Sequence, residues 1–141
     1  HEHLVCRLLL EKKKKKENQF RNKILQPRKY DLEDRTLEFA IACRIYIGKL
    51  PKSISNIEDS KQLVRASGSI GANYIEANES LSKKDFVFRL KISRKESKEA
   101  VYWLNILNRI NPEFKSETEQ LIKEGKELKL IFSSIIEKYK V

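Results

Sequence analysis

The sequence is poor in the residues that most metal sites and catalytic sites require. Its only histidines are His1 and His3, and its only cysteines are Cys6 and Cys43. Zinc sites need several histidines or cysteines together, a Glu-x-x-His di-iron site needs two histidines, and a Ser-His-Asp triad needs a histidine, so each lacks its essential residues here. The composition therefore predicts a protein that has no metal site and no cofactor and that is not an enzyme.

Glycine and proline are also scarce, with four and three residues among 141. β-Sandwich domains use more of both in their turns, and a chain that is 40% hydrophobic is too apolar to be disordered. The length is that of about one domain. These numbers favour an all-α fold made of long helices.

No stretch of the sequence is apolar enough to be a membrane span. The apolar start 4–10 is interrupted by Arg7 and is followed by five lysines, the reverse of the order in a signal peptide. Two widely spaced cysteines do not form a disulfide framework. Cys43 lies among apolar residues, where a reduced thiol behaves as a small hydrophobic group. We therefore expect a cytoplasmic protein with no membrane partner.

The net charge of +10 is concentrated at the N-terminus. Residues 1–29 carry ten Lys or Arg against three acids, whereas residues 30–141 carry twenty against seventeen. The block Lys12–Lys16 fits either a solvated low-complexity tract or an arm that binds nucleic acid. Because Pro27 lies near the change in charge, we predict a separable basic N-terminal extension over 1–29 and a bundle domain over 30–141. Because the sequence contains no methionine, it stays open whether the extension is native.

The bundle domain shows four successive helical patterns. They cover Asp31–Leu50, Ile57–Leu81, Ser82–Asn111 and Phe114–Tyr139, with Asn56 as the predicted N-cap of the second helix. Connections this short force neighbouring helices to run antiparallel. The sequence therefore predicts an antiparallel up-down-up-down four-helix bundle with a basic N-terminal extension.

Hydrophobic spacing assigns a buried seam to each predicted helix. In the first helix the seam consists of Leu37, Ala40, Ile41, Cys43, Ile47 and Leu50. In the second it runs from Leu63 to Leu81 in alternating steps of four and three. Small residues of the later seams, Ser67, Ser97 and Gly125, are predicted to form one closely packed layer, with Arg65 or Arg94 available to fill a gap.

Several ordered motifs resemble a known family. They are Tyr30–Glu33, Arg35–Ala40, Leu50–Pro51, Ser69–Ala77, Ser82–Phe86 and Tyr102–Leu104. From Tyr30 to about Tyr139, the chain resembles the bacterial four-helix bundle proteins encoded by intervening sequences in large-subunit ribosomal RNA genes. The resemblance implies a ring-shaped homopentamer with no established enzymatic activity. It also implies kinship with the accessory bundle of diversity-generating retroelements, whose partners are a reverse transcriptase and nucleic acid.

Three sets of residues are candidate sites on the bundle. Lys84, Lys91, Lys95 and Lys98 share one helix face, which is either a solvated surface or a stripe that contacts RNA or DNA phosphates. Large apolar residues beyond the same helix's seam are candidates for a homo-oligomer interface: Phe88, Tyr102, Trp103, Ile106 and Ile110. The third set consists of structural polar residues: Arg65, Asn73 and Glu76. Asn73 and Glu76 are predicted to hydrogen-bond to neighbouring helices or to Arg65 and so to satisfy buried polar groups.

Two functions remain open from the sequence. The first is an oligomeric scaffold associated with RNA or a ribonucleoprotein, and the second is a purely structural or protein-interaction bundle. Salt dependence separates them, because phosphate contacts release counterions and protein contacts need not.

Overall fold

The computed structural model describes residues 2–25 and 32–140. These residues form five α-helices and one 3₁₀ turn: α1 (Glu2–Leu25), α2 (Leu32–Lys49), α3 (Ile54–Asn78), α4 (Lys83–Ile110), the turn (Pro112–Phe114) and α5 (Lys115–Lys138). The chain divides into two compact units, residues 1–32 and 33–141. Within the described part, no helix is both long and apolar enough to cross a membrane.

The N-terminal unit contains α1, a helix that the sequence analysis did not predict. The side chains from Leu4 to Glu17 are exposed, including the block Lys12–Lys16. Arg7 and Glu11 form an ion pair of 3.7 Å one turn apart. Pro27 and the predicted start of the bundle at residue 30 lie outside the described residues, so a separable extension stays a prediction.

The helices of the second unit pack as antiparallel neighbours. Between α3 and α4, residues early in α3 contact residues at the end of α4, and later ones contact its beginning. Asn56 bonds to Asn111, and Asn73 bonds to Arg89. The other neighbouring pairs show the same order in these contacts: Thr36 with Gly71 and Arg44 with Val64 (α2–α3), Arg35 with Glu124 and Tyr46 with Thr118 (α2–α5), and Val101 with Gly125 and Phe86 with Tyr139 (α4–α5). The predicted all-α bundle is confirmed.

The buried face of α2 is not the predicted one. Thr36, Phe39, Cys43, Tyr46 and Leu50 are buried in steps of three and four. Of the six predicted seam residues only Cys43 and Leu50 are among them. The prediction was wrong because α2 carries apolar residues on two faces, and spacing alone does not say which face meets the bundle.

The ends of α3 also differ from the prediction. Ser53, not Asn56, is the N-cap, and its hydroxyl accepts a hydrogen bond of 3.1 Å from the Asn56 amide. The helix ends at Asn78, so Leu81 lies beyond it and is fully exposed instead of continuing the seam. At the next helix Ser82 is the N-cap, and its hydroxyl accepts from the Asp85 amide at 3.1 Å.

Ser67, Ser97 and Gly125 are all buried. Arg65, one of the two arginines predicted to fill a gap there, is largely exposed and pairs with Glu99. Arg44 of α2 reaches this region instead, with a guanidinium nitrogen 3.5 Å from the Ser67 hydroxyl.

Candidate nucleic-acid interface

One face of α4 packs into the bundle and the opposite face meets solvent. The buried face includes Leu90, Ser97, Ala100, Leu104 and Leu107. Because a helix turns about 100° per residue, exposed positions recur in steps of three and four on its far side. We name these residues the α4 stripe: Lys84, Phe88, Lys91, Lys95, Lys98 and Tyr102.

The α4 stripe is positively charged along its whole length. It contains four lysines, two aromatic rings and no carboxylate. Of the other acids on α4, Glu99 accepts from Arg65 at 3.2 Å and from Trp103 at 3.4 Å, Asp85 lies in the first turn and Glu96 is buried. Only Lys95, among the stripe lysines, forms an ion pair with a described residue, and its distance of 3.9 Å to Glu96 is long. Exposed lysines without carboxylate partners keep their charge available to a ligand.

The five predicted interface residues differ in exposure. Phe88 and Tyr102 are 58% and 59% exposed and belong to the α4 stripe, Phe88 between Lys84 and Lys91 and Tyr102 at its end. Ile110 is exposed near the end of α4, whereas Trp103 and Ile106 are half-buried. Tyr102 and Trp103 pack edge-on with ring centroids 5.2 Å apart, and Phe88 and Tyr102 share a surface with the candidate phosphate contacts, so an interface at these five residues stays a prediction.

The three predicted structural polar residues have different surroundings. The Asn73 carboxamide accepts from Arg89 of α4 at 3.3 Å and donates to the Ser69 carbonyl at 2.8 Å. Arg65 donates to Glu99 of α4, also linking α3 to α4. Glu76 is exposed, so it is not one of the buried polar groups that the sequence predicted. Ala77, next to it, is the residue that turns into the bundle.

The exposed apolar surface on α2 was not predicted from the sequence. Leu37, Ile41 and Ile45 lie one turn apart and are 55%, 40% and 59% exposed. We name these three residues the α2 outer face. The signal for it was present, because α2 has more apolar residues than one buried stripe requires. Its place on the outside could be recognised only once the buried face was known.

Cys43 is a packing residue rather than a nucleophile. Its side chain is fully buried, and burial raises the pKa of the thiol to about 12. The thiol therefore stays protonated at neutral pH and behaves as a small hydrophobic group. Among the described residues, no cluster of His, Cys, Asp and Glu could hold a metal ion.

A carboxylate is buried beneath the stripe. Glu96 is 8% exposed, and its Oε2 has no hydrogen-bond partner among the described residues. Burial raises the pKa of Glu96, with the charge of Glu99 adding to the effect and Lys95 and Arg65 opposing it. The folded protein thus binds this proton more readily than the unfolded chain does, so stability falls as pH rises from the unfolded pKa through the raised folded pKa.

Glu96→Gln is therefore expected to raise the free energy of unfolding by about 1 kcal/mol at neutral pH and to reduce its fall with rising pH. Urea titrations at about pH 5 and about pH 7.5 measure both effects. Glu79→Gln, at an exposed carboxylate, is the control and is expected to change stability little. A Glu96→Gln variant less stable than the parent at neutral pH would contradict the assignment.

These features define a small helical-bundle protein whose distinctive surface is a stripe of lysines and aromatic rings. A family model described as 23S rRNA-intervening sequence protein matches residues 28–134, and the chain belongs to this family. The resemblance drawn from the sequence motifs is thereby confirmed.

A solved structure from Bacteroides thetaiotaomicron VPI-5482 is similar to the chain. Its description is a protein with unknown function from the S23 ribosomal protein family. The two are 31% identical with a TM-score of 0.66, and the match covers 74% of this chain and 97% of that chain. No curated protein matches the chain.

Proposed function

We propose that the protein is an oligomeric scaffold that binds RNA through the α4 stripe and acts by binding rather than by catalysis. The observation that carries this proposal is the stripe itself. Six successive exposed positions on one helix face supply four lysines and two aromatic rings, and none supplies a carboxylate. Lysines neutralise phosphates, and exposed rings offer flat surfaces on which unpaired bases stack.

The length of the stripe suits a nucleic-acid strand. Fourteen residues separate Lys84 from Lys98, which at about 1.5 Å per residue is about 21 Å. A strand can place several consecutive phosphates along such a distance. Each exposed lysine contact is weak, so one stripe supports only modest affinity.

Assembly into a homo-oligomer would repeat the stripe and strengthen binding by multivalency. The α2 outer face supports such assembly, because it exposes three neighbouring apolar side chains on a helix that is already packed on its other side. The family resemblance favours a pentamer. Ile110, with half-buried Trp103 and Ile106, remains a candidate for the same contact. For Phe88, its place between Lys84 and Lys91 favours base stacking, and Tyr102 offers a second exposed ring beyond Lys98.

Changing Lys84, Lys91, Lys95 and Lys98 to Gln is expected to weaken RNA binding by about tenfold or more, because up to four phosphate contacts are lost. The slope of log affinity against log salt should fall by up to about three, at about 0.7 per single-strand phosphate. Fluorescence anisotropy with the full chain, at several salt concentrations, measures both quantities.

The matched control removes the same charge elsewhere on the bundle. Lys52, Lys123, Lys126 and Lys138 are exposed and lie off the stripe. Their change to Gln should leave most of the binding intact. Equal losses in the two variants would reduce the stripe to general basicity, and a wild-type chain that binds no RNA would reject the proposal.

The second candidate is a protein-interaction bundle, which the α2 outer face favours specifically. An apolar helix face can dock a partner protein as readily as a second copy of the chain. The family resemblance implies a reverse transcriptase as one such partner. Binding that persists at high salt and is lost on changing Ile41 to Asp would support this candidate.

A further inference from the structure

A groove lies at one end of the bundle, where α4 begins and α5 ends. Its volume is about 510 Å³, within the range of pockets that hold small organic ligands. The residues that line it are Lys83, Lys84, Val87, Phe88, Lys91 and Tyr139. Three of them, Lys84, Phe88 and Lys91, belong to the α4 stripe, so the groove opens along the proposed RNA path.

Two aromatic rings line the groove. Phe88 is 58% exposed, which leaves much of its surface free for a ligand. Tyr139 is held in place from behind: Phe86 packs edge-on against it with ring centroids 5.0 Å apart, and the Lys83 ammonium lies 6.0 Å from its centroid. Val87, next to Phe88 in sequence, lines the same groove, so the walls present apolar and aromatic surface to a flat ligand.

The charge around the groove is positive. Three lysines line it and no carboxylate does. The nearest acids have other partners or positions: Glu137 pairs with Lys140 at 3.0 Å, and Asp85 is exposed in the first turn of α4. A ligand that is both aromatic and anionic satisfies the two halves of this surface, and a nucleotide is such a ligand.

We propose that this groove binds one unpaired nucleotide of an RNA strand. Its base stacks on Phe88, with Tyr139 as a second wall, and its flanking phosphates contact Lys84 and Lys91. The proposal rests on the proposed function and specifies it further. A base in a duplex is already stacked and paired, so the groove selects single strands, loops or ends over a continuous helix.

The test uses the full chain and an oligonucleotide that carries the fluorescent base 2-aminopurine, as a single strand and as a duplex of equal length. Stacking on a protein ring changes the fluorescence of this base, so its signal reports stacking apart from affinity. The wild-type chain is expected to bind the single strand more tightly and to change the fluorescence. Phe88→Leu keeps an apolar side chain but removes the ring. It should abolish the fluorescence change and weaken single-strand binding about fivefold or more, with little effect on the duplex.

Two further variants complete the test. Tyr139→Leu should act in the same direction as Phe88→Leu. Phe114→Leu makes the same change at the opposite end of α4 and α5, outside both the stripe and the groove, and should keep the fluorescence change and the single-strand preference. A wild-type chain that binds no nucleic acid rejects the proposed function together with the groove. A chain that binds duplex and single strand equally, or a Phe88→Leu variant that retains the fluorescence change, overturns the groove and leaves the stripe.

Discussion

Replacing Asn111 with Ala is expected to lower the free energy of unfolding by about 3 kcal/mol. Asn56 and Asn111 are 5% and 2% exposed and exchange two amide hydrogen bonds, of 2.8 and 2.9 Å. The Asn111 amide also donates to the Leu107 carbonyl at 3.0 Å, and the Asn56 amide donates to the Pro51 carbonyl at 2.8 Å. The pair thus joins the α2–α3 corner to the end of α4. Losing one partner leaves the other's carbonyl buried without a hydrogen bond.

Chemical denaturation of Asn111→Ala, Asn56→Ala and the double variant measures this coupling. The double variant should cost less than the sum of the two single changes, because it strands no partner across the pair. Asn105→Ala, at an exposed amide on α4, is the control and should change stability by less than about 0.5 kcal/mol. Strictly additive effects would mean that the two amides are independent.

The role of Asn56 shows where sequence reasoning reaches its limit. A polar residue after Pro51 and before an apolar pattern is a good N-cap candidate, and Ser53 satisfies the same description. The choice between them depends on whether Asn111 lies within reach of Asn56. That contact joins residues 55 positions apart and follows only from the packed bundle.

The buried face could be predicted better for α4 than for α2. In α4 the choice of face is clear from the sequence because lysines occupy one side, and Leu90, Ser93, Ala100 and Leu104 on the other side are buried. In α2 no such charged face exists, and of the six residues assigned to its seam two are buried, two half-buried and two exposed. The lysines were therefore correctly placed on one face from the sequence. The groove was not predicted, because one of its walls is Tyr139, which is distant from early α4 in sequence and comes close to it only in the packed bundle.

Among the glycines of the chain, Gly125 is the one at which an added Cβ atom would make the shortest contact. A Cβ atom added there would lie 2.6 Å from Val101 Cγ2 and 3.5 Å from the Phe39 ring. This short contact confirms the close packing at Gly125 that is predicted from the sequence. Any larger side chain must push apart α5, the branched Val101 and the buried Phe39, because the interior is already filled.

Gly125→Leu is accordingly expected to lower the free energy of unfolding by about 3 kcal/mol, since overpacking outweighs the helix propensity of roughly 1 kcal/mol that replacing glycine brings. Gly48→Ala is the matched control, because a Cβ there meets nothing within 4 Å, and it should leave stability unchanged or slightly raised. Gly125→Ala should lower stability for the same reason. Adding Val101→Ala to it should restore part of that stability, because it removes the methyl group that the new Cβ meets. Thermal and urea unfolding of these variants measure the changes. A Gly125→Leu variant as stable as the parent would show that the helices can separate at this point without cost.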